Sequence, residues 1–276
     1  NEWEMVDSAG FSLPHPADSI GSPNPPHPLF EIQHLSKGHN VLNINNIDGF
    51  VHNEWVFNTK NADILTLSLG IRANYWGYNN EVNISPRAGL AYKPSWNNDM
   101  LFRLSGGVYV QPPFYRELRM FDGSLVKPEN ATTQKSYQVV LTHEYNFIAW
   151  DRPFVLTSEL YYKYLKDIIP YEVDNIRIRY YADQKATGYA TGLDVRVNGE
   201  FVKGIDSWAS VSIMKSAENI KYYLSPTGNI LSQTQIDNGA EYVCDTIIRG
   251  IPRPSDQRIN FSLFFQDYLP YIPSFK

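Results

Sequence analysis

Hydrophobic and polar residues alternate with a period of two along most of the chain after residue 43. The run 64–76 is a clear example, because from Leu65 to Tyr75 every second residue is apolar and the residues between are polar or glycine. Its apolar set is Leu65, Leu67, Leu69, Ile71, Ala73 and Tyr75, and its other set is Thr66, Ser68, Gly70, Arg72 and Asn74. Successive side chains of a β-strand point to opposite faces of a sheet. The pattern therefore predicts a long strand with one apolar face and one polar face.

The same alternation predicts an all-β chain of nine or ten long strands. Nine of them cover 44–58, 62–77, 84–94, 99–111, 134–148, 153–168, 186–202, 206–217 and 256–268. An irregular stretch at 171–183 extends one of the hairpins. No segment places apolar residues at the 3.6-residue spacing of a helix, so we predict less than about a tenth helix.

The links between the predicted strands are alternately short and long. Short links fall at 59–63, 94–98, 149–152 and 203–205, and long ones at 112–133, 169–185 and 218–255, with 78–83 of modest length. In an up-and-down antiparallel sheet every second link lies at the same end. We therefore predict that the short links gather at one rim and the long loops at the other, as in outer-membrane β-barrels.

Strand length and charge distribution favour a membrane-spanning barrel over a soluble β-sandwich or propeller. Strands of soluble proteins are typically about 5–6 residues long, whereas about 9–11 residues cross a bilayer at a tilt. Aromatic residues also gather near the strand ends, where a membrane barrel carries its girdles. We expect a convex, lipid-facing side that carries Leu65, Leu67, Leu69, Val195, Val197, Ile259, Phe261 and Leu263. We expect a concave, wet side that carries Arg72, Arg103, Arg196 and Arg258.

Composition excludes several classes of function and structure. The chain has 276 residues and a net charge of −5, whereas a nucleic-acid binder requires a basic stripe. Its single cysteine, Cys244, excludes an internal disulfide and a multi-cysteine metal site. Six prolines between residues 14 and 28 predict that segment 1–43 is an irregular loop, because proline removes backbone donors and fixes φ.

The sequence carries no pattern typical of catalysis or metal binding. Four of the six histidines lie in segment 1–43, at spacings that match no metal-binding motif. Motifs of nucleophilic, phosphate-binding and zinc-dependent enzymes are likewise missing from the sequence. We expect no catalytic residue, no metal and no cofactor.

Several segments resemble, in order and spacing, the strands and loops of TonB-dependent outer-membrane receptors. The similar segments are 85–92 (SPRAGLAY), 111–118 (QPPFYREL), 125–130 (LVKPEN), 159–169 (ELYYKYLKDII) and 186–194 (ATGYATGLD). In the last of these, Asp194 replaces the glutamate that is usual in the family. Segment 253–270 is most similar to the large receptors of Bacteroidetes-type bacteria. The resemblance covers about residues 45–270.

The resemblance implies a function in nutrient import across the bacterial outer membrane. It implies that 44–276 is part of a 22-strand barrel, an internal slice with strands missing on both sides, and that 1–43 is an extracellular loop. The implied partners are outer-membrane lipid, the receptor's own plug domain, which is not in this chain, and the TonB energy complex. The ligand class stays open among siderophore, cobalamin, glycan and peptide. The alternative hypothesis is a secreted or surface all-β module that binds carbohydrate through its many Tyr and Trp residues.

The loop 112–132 is the predicted ligand-contact region. It carries Phe114, Tyr115, Arg116, Arg119 and Phe121, and aromatic rings and guanidinium groups are efficient recognition groups. The opposing interpretation is that the Arg and Glu residues of this loop only pin it to the wall of the barrel. The charged residues of the polar strand faces have the same structural interpretation, in which they satisfy one another.

Overall fold

The computed structural model describes residues 2–11, 31–59, 61–174, 177–202, 204–227, 230–231, 239, 241–242 and 244–265. The chain is all-β over these residues. The one helical element among them is a 3-10 turn, η1, at Tyr115–Leu118, which confirms the predicted scarcity of helix. Within the same ranges, no helix is long and apolar enough to cross a membrane.

The described residues form fifteen strands, and most of the long ones match the predicted runs closely. They are β1 Glu2–Phe11, β2 Glu31–Val41, β3 Asn46–Asn58, β4 Ile64–Trp76, β5 Glu81–Lys93, β6 Asp99–Gln111, β7 Gln134–Ala149, β8 Arg152–Ile168, β9 Tyr171–Asp174, β10 Arg177–Tyr180, β11 Ala186–Val202, β12 Ile205–Leu224, β13 Ile230–Leu231, β14 Cys244–Pro252 and β15 Ile259–Phe265.

The long strands form one antiparallel sheet in up-and-down order. Strands β3 to β8 are neighbours in sequence order, followed by β11 and β12, and β13, β14 and β15 all pair with β12. Two small sheets stand apart from it, the β1–β2 pair and the β9–β10 hairpin between β8 and β11. The predicted up-and-down topology is confirmed.

The register of the main sheet aligns its apolar positions into continuous rows. Directly paired residues of antiparallel strands carry their side chains on the same face. One row crosses nine strands and consists of Trp55, Leu67, Leu90, Leu104, Leu141, Leu160, Leu193, Ile213 and Ile259. We call this the aliphatic row. All eight residues predicted to share the apolar side lie on the face of this row.

The opposite face carries the charged and polar residues. Arg103 pairs in register with Thr142, which is followed across the sheet by Glu159, Asp194, Ser212 and Asn260. Arg72 and Arg196 occupy the same face, as predicted. Arg72 Nη2 lies 2.7 Å from Asp48 Oδ1, within an exposed ion pair.

The last predicted strand and the loop before it require correction. The predicted loop 218–255 contains the C-terminal part of β12, which ends at Leu224, and all of β14. The predicted strand 256–268 begins only at Ile259, so Arg258 lies just before it. Strands β14 and β15 lie end to end along β12. The interruption between them follows from proline, because Pro252 and Pro254 lack the N–H donor that pairing requires.

The N-terminal segment also differs from the predicted irregular loop. Strands β1 and β2 pair antiparallel from Glu2–Val41 to Phe11–Glu31. The six prolines at 14–28, on which the loop prediction depended, lie outside the described residues. Proline content was therefore a poor guide to the flanking residues 2–11 and 31–41.

Candidate functional site

The two ends of the main sheet differ in the links they carry, as predicted. The short links 59–63, 94–98, 149–152 and 203–205 lie at one end, which we call the short-link end. The connections after β4, β6, β8 and β12 lie at the other, which we call the long-loop end. Within the predicted loop 218–255, the short strand β13 pairs with the last residues of β12 at this end.

Hydrogen bonds between neighbouring turns hold the short-link end together. Ser95 N donates to Asp63 Oδ1 at 2.8 Å, and Ser95 Oγ donates to the carbonyl of Asn61 at 2.6 Å. The hydrogen bonds from Ser95 hold the pKa of the Asp63 carboxyl below its ordinary value. Arg152 Nη1 donates to the carbonyls of Glu200 and Phe201, each at 3.0 Å.

The long-loop end has a hydrophobic core of its own. Trp76 closes β4, and loop 112–133 and the β8–β11 connection pack against it. The buried members are Trp76, Leu118, Val126, Ala131 and Ala182, with Ile44, Tyr78, Met120 and Leu125 packed around them. Elements far apart in sequence thus share one core, and the loops of this end form a single packed unit.

Polar contacts fasten the end of loop 112–133 to β5. Thr133 is fully buried, its N–H donates to Glu81 Oε2 at 3.0 Å, and its hydroxyl lies 2.8 Å from Glu81 Oε1. Lys135 Nζ lies 3.2 Å from the same Oε1 atom. The hydroxyl of Tyr78 donates to the carbonyl of Val126, and burial raises the pKa of this phenol.

The turn η1 is held by Glu117. Pro112 and Pro113 end β6, because they cannot donate to a ladder. Phe114 N then donates to Glu117 Oε2 at 2.9 Å, which closes the turn. Gln134 Nε2 donates to the same oxygen at 3.1 Å, so the first residue of β7 fixes the turn to the sheet.

The turn η1 faces a cavity of about 1150 Å³ at the long-loop end. Three predicted ligand-contact residues, Phe114, Tyr115 and Arg116, line it. The other side of the cavity is the β2–β3 connection, residues 42–45, together with Asn46 at the start of β3. The remaining lining residues include Gln111, Pro112, Pro113, Trp76 and Leu118. We call this space the rim cavity.

Two predicted contact residues do not line the rim cavity. Phe121 packs edge-on against Tyr181, with 5.2 Å between the ring centroids. Arg119, the residue immediately after η1, forms an isolated backbone bridge with Leu125. Ligand contact by Arg119 and Phe121 therefore stays a prediction that the rim cavity does not bear on.

The amides of the rim cavity were not among the predicted contact residues. Asn43, Asn45 and Asn46 line it from the β2–β3 connection, and Gln111 lines it from the end of β6. The run Asn-Ile-Asn-Asn at 43–46 was assigned mainly to a strand start. Its three asparagines, which favour turns over strands, were the available signal.

A second cluster ties the β9–β10 hairpin to the sheet. The carboxylate of Glu218 on β12 is buried, and Arg253 Nε lies 3.7 Å from its Oε2 atom. The Arg253 guanidinium also lies 5.5 Å from the ring centroid of Tyr171 on β9. Tyr180 lies on β10, the second strand of this hairpin. The pKa of its phenol is raised, mainly by burial and secondly by the nearby charge of Glu117.

Among the residues that the structure describes, no three His, Cys, Asp or Glu side chains lie close enough together to hold a metal ion.

Comparisons with protein-family models, curated proteins and solved structures find no match for this chain. The features of this chain that bear on its function are therefore the geometry of the sheet and of the rim cavity.

Proposed function

We propose that this chain is a wall segment of an outer-membrane β-barrel that belongs to a TonB-coupled nutrient receptor. The observation that carries the proposal is the exposure of the aliphatic row. Of its nine members all but Leu67 are exposed, from about two-fifths at Trp55 to 73% at Ile259. Soluble monomers rarely expose a contiguous apolar surface of this extent. Lipid is a solvent in which such a face is stable.

The height of the apolar face fits a bilayer. Tyr137, Tyr164 and Tyr189 pair in register near the long-loop end. Near the short-link end Phe147 pairs with Phe154, which is buried in contact with the rings of Phe147, Trp150 and Phe201, while Trp150 is exposed. Tyr164 and Phe154 are about ten residues apart on β8, which at about 3.3 Å per residue and a tilt of about 40° gives about 25 Å. An aromatic girdle at each edge of an apolar band of this height is typical of outer-membrane barrels.

The separation of charge supports the same proposal. The strand residues Arg72, Arg103, Glu159, Asp194 and Arg196 all lie on the face opposite the aliphatic row. In a barrel that face lines an aqueous interior, where charged residues are hydrated or paired. The two edges of the sheet, β3 and β14–β15, would then pair with further strands of a larger barrel.

Import of a nutrient is the function that the sequence resemblance adds to this architecture. In the proposed receptor, a ligand binds at the long-loop end, which faces the medium. Its passage depends on movement of a plug domain and on energy from the TonB complex. The rim cavity is the proposed first contact site, with Phe114, Tyr115 and Arg116 on its wall.

Surface proteolysis of intact cells tests this orientation. A recognition site for a sequence-specific protease is inserted at 225–227 in one variant of the full-length protein and at 96–98 in another. We expect external protease to cleave the first in intact cells and the second only after lysis. Both variants should shift in gel migration on heating, as folded outer-membrane barrels do. Cleavage at 96–98 in intact cells, or recovery of the protein in the soluble fraction, would contradict the proposal.

A further inference from the structure

We propose that the rim cavity binds an oligosaccharide. The inference rests on the proposed function, because it names the ligand class of the same loop end, which the sequence leaves open. Three features of the cavity carry it: the amides on its wall, the scarcity of charge, and an exposed ring held over a rigid floor.

The amides of the rim cavity are available to a ligand. Asn43, Asn45, Asn46 and Gln111 line the cavity, and all four are exposed. Within the described ranges their side chains form no hydrogen bond to the protein. A carboxamide donates through its NH₂ group and accepts through its oxygen. A sugar hydroxyl likewise donates and accepts, so a cluster of four amides matches a ligand rich in hydroxyl groups.

Charge is scarce around the rim cavity. Arg116 is the one charged residue among the side chains that line it, and no carboxylate does. A cationic ligand would find no counter-ion there, and a highly charged anion would find only one. A neutral ligand, or one with a single acidic group, fits the lining best.

The apolar part of the rim cavity is rigid, with one ring exposed. Trp76, Leu118 and Pro113 are buried and form a fixed floor. Phe114 is 65% exposed, while the hydrogen bond from its N–H to Glu117 fixes its backbone. Such a ring offers a flat apolar surface to the C–H face of a sugar at little entropic cost. The volume exceeds that of most small-ligand pockets, about 300–1000 Å³, which favours an extended chain of sugars.

Calorimetric titration of the full-length protein in detergent tests the inference. The probes are neutral oligosaccharides of four to eight hexose units, with α-glucan, β-glucan and mannan linkages. A ferric catecholate and a neutral tetrapeptide mixture serve as competing probes. We expect saturable binding of at least one oligosaccharide and none of the other two classes.

Two matched pairs of variants locate the binding. Phe114→Ala should weaken oligosaccharide binding by about tenfold or more, whereas Phe121→Ala, in the same loop but outside the cavity, should not change it. Arg116→Gln and Arg119→Gln form the second pair. Arg116→Gln should weaken oligosaccharide binding, because Arg116 lines the cavity, whereas Arg119→Gln should leave binding unchanged. Equal losses within each pair, or binding of the catecholate or peptides alone, would overturn the inference.

The outcome separates this inference from the proposed function. A protein that passes the protease test but binds no oligosaccharide removes the sugar ligand and leaves the barrel. A protein that binds oligosaccharide with the predicted variant pattern but is recovered in the soluble fraction removes the barrel and leaves the sugar site.

Discussion

The short-link end and the long-loop end close the same strands in different ways. At the short-link end, turns of a few residues are joined by exposed hydrogen bonds such as that from Ser95 to Asp63. At the long-loop end, Trp76, Leu118 and Ala182, from three separate parts of the chain, are buried together. The difference indicates that the turns of one end only reverse the chain, whereas the loops of the other build a structure. A preformed binding surface requires the second arrangement.

The largest effect is expected from breaking the buried ion pair at the long-loop end. Arg253→Ala leaves the carboxylate of Glu218, whose side chain is 4% exposed, without its cationic neighbour. Removing one partner of a buried pair costs about 3–5 kcal/mol. We expect faster hydrogen exchange in β9–β10 and β14, measured by mass spectrometry. The double variant Arg253→Ala with Glu218→Gln should recover part of the protection, and equal exchange in the two variants would contradict this assignment.

A somewhat smaller effect is expected in the loop core. Leu118→Ala removes a buried side chain and leaves a cavity, which costs about 2–4 kcal/mol. Since Leu118 also forms part of the floor of the rim cavity, loop 112–133 should become sensitive to protease. Ile148→Ala, at the exposed short-link end, is the matched control and should change the proteolysis pattern little. Similar sensitivity in both variants would remove the contrast between the two ends.

The smallest effect is expected at the short-link end. The pKa of Asp63 is lower in the folded protein than in the unfolded chain, because Ser95 donates to its carboxylate. Its contribution is therefore present above the unfolded pKa, about 3.9, and is lost as pH falls through the lower folded pKa. Protection of the Ser95 amide, measured against its intrinsic exchange rate at each pH, should be lost only at such acidic pH. In Asp63→Ala this protection should be missing at every pH, with no change at the long-loop end.

The strands were predictable because alternation is a local property of the sequence. Residues 65–75 display it without interruption, and they lie within β4. The alignment of Leu67 with Leu90 and Leu104 was not predictable, because register depends on how each link sets the offset between two strands. The division of the edge strand into β14 and β15 was missed, although Pro252 and Pro254 indicated a break.

The candidate site was predictable only in part, because it depends on contacts between distant segments. Phe114, Tyr115 and Arg116 were accessible to sequence reasoning through their residue types. The position of Arg119 and Phe121 outside the rim cavity depends on how the chain turns after η1, which residue types do not encode. The asparagines at 43–46 join the site only because the β2–β3 connection comes to lie opposite η1.

The most direct test of the membrane proposal compares two neighbouring positions on β7. Leu141 belongs to the aliphatic row, and the next residue, Thr142, faces the opposite side, where its hydroxyl donates to Glu159 Oε1 at 3.2 Å. Each is replaced by a spin-labelled cysteine in the full-length protein in lipid vesicles, with Cys244→Ser removing the native thiol. We predict that the label at 141 is far more accessible to dissolved oxygen than to a water-soluble nickel complex, and that the label at 142 is readily accessible to the nickel complex. Equal access of the nickel complex to both labels would contradict the account.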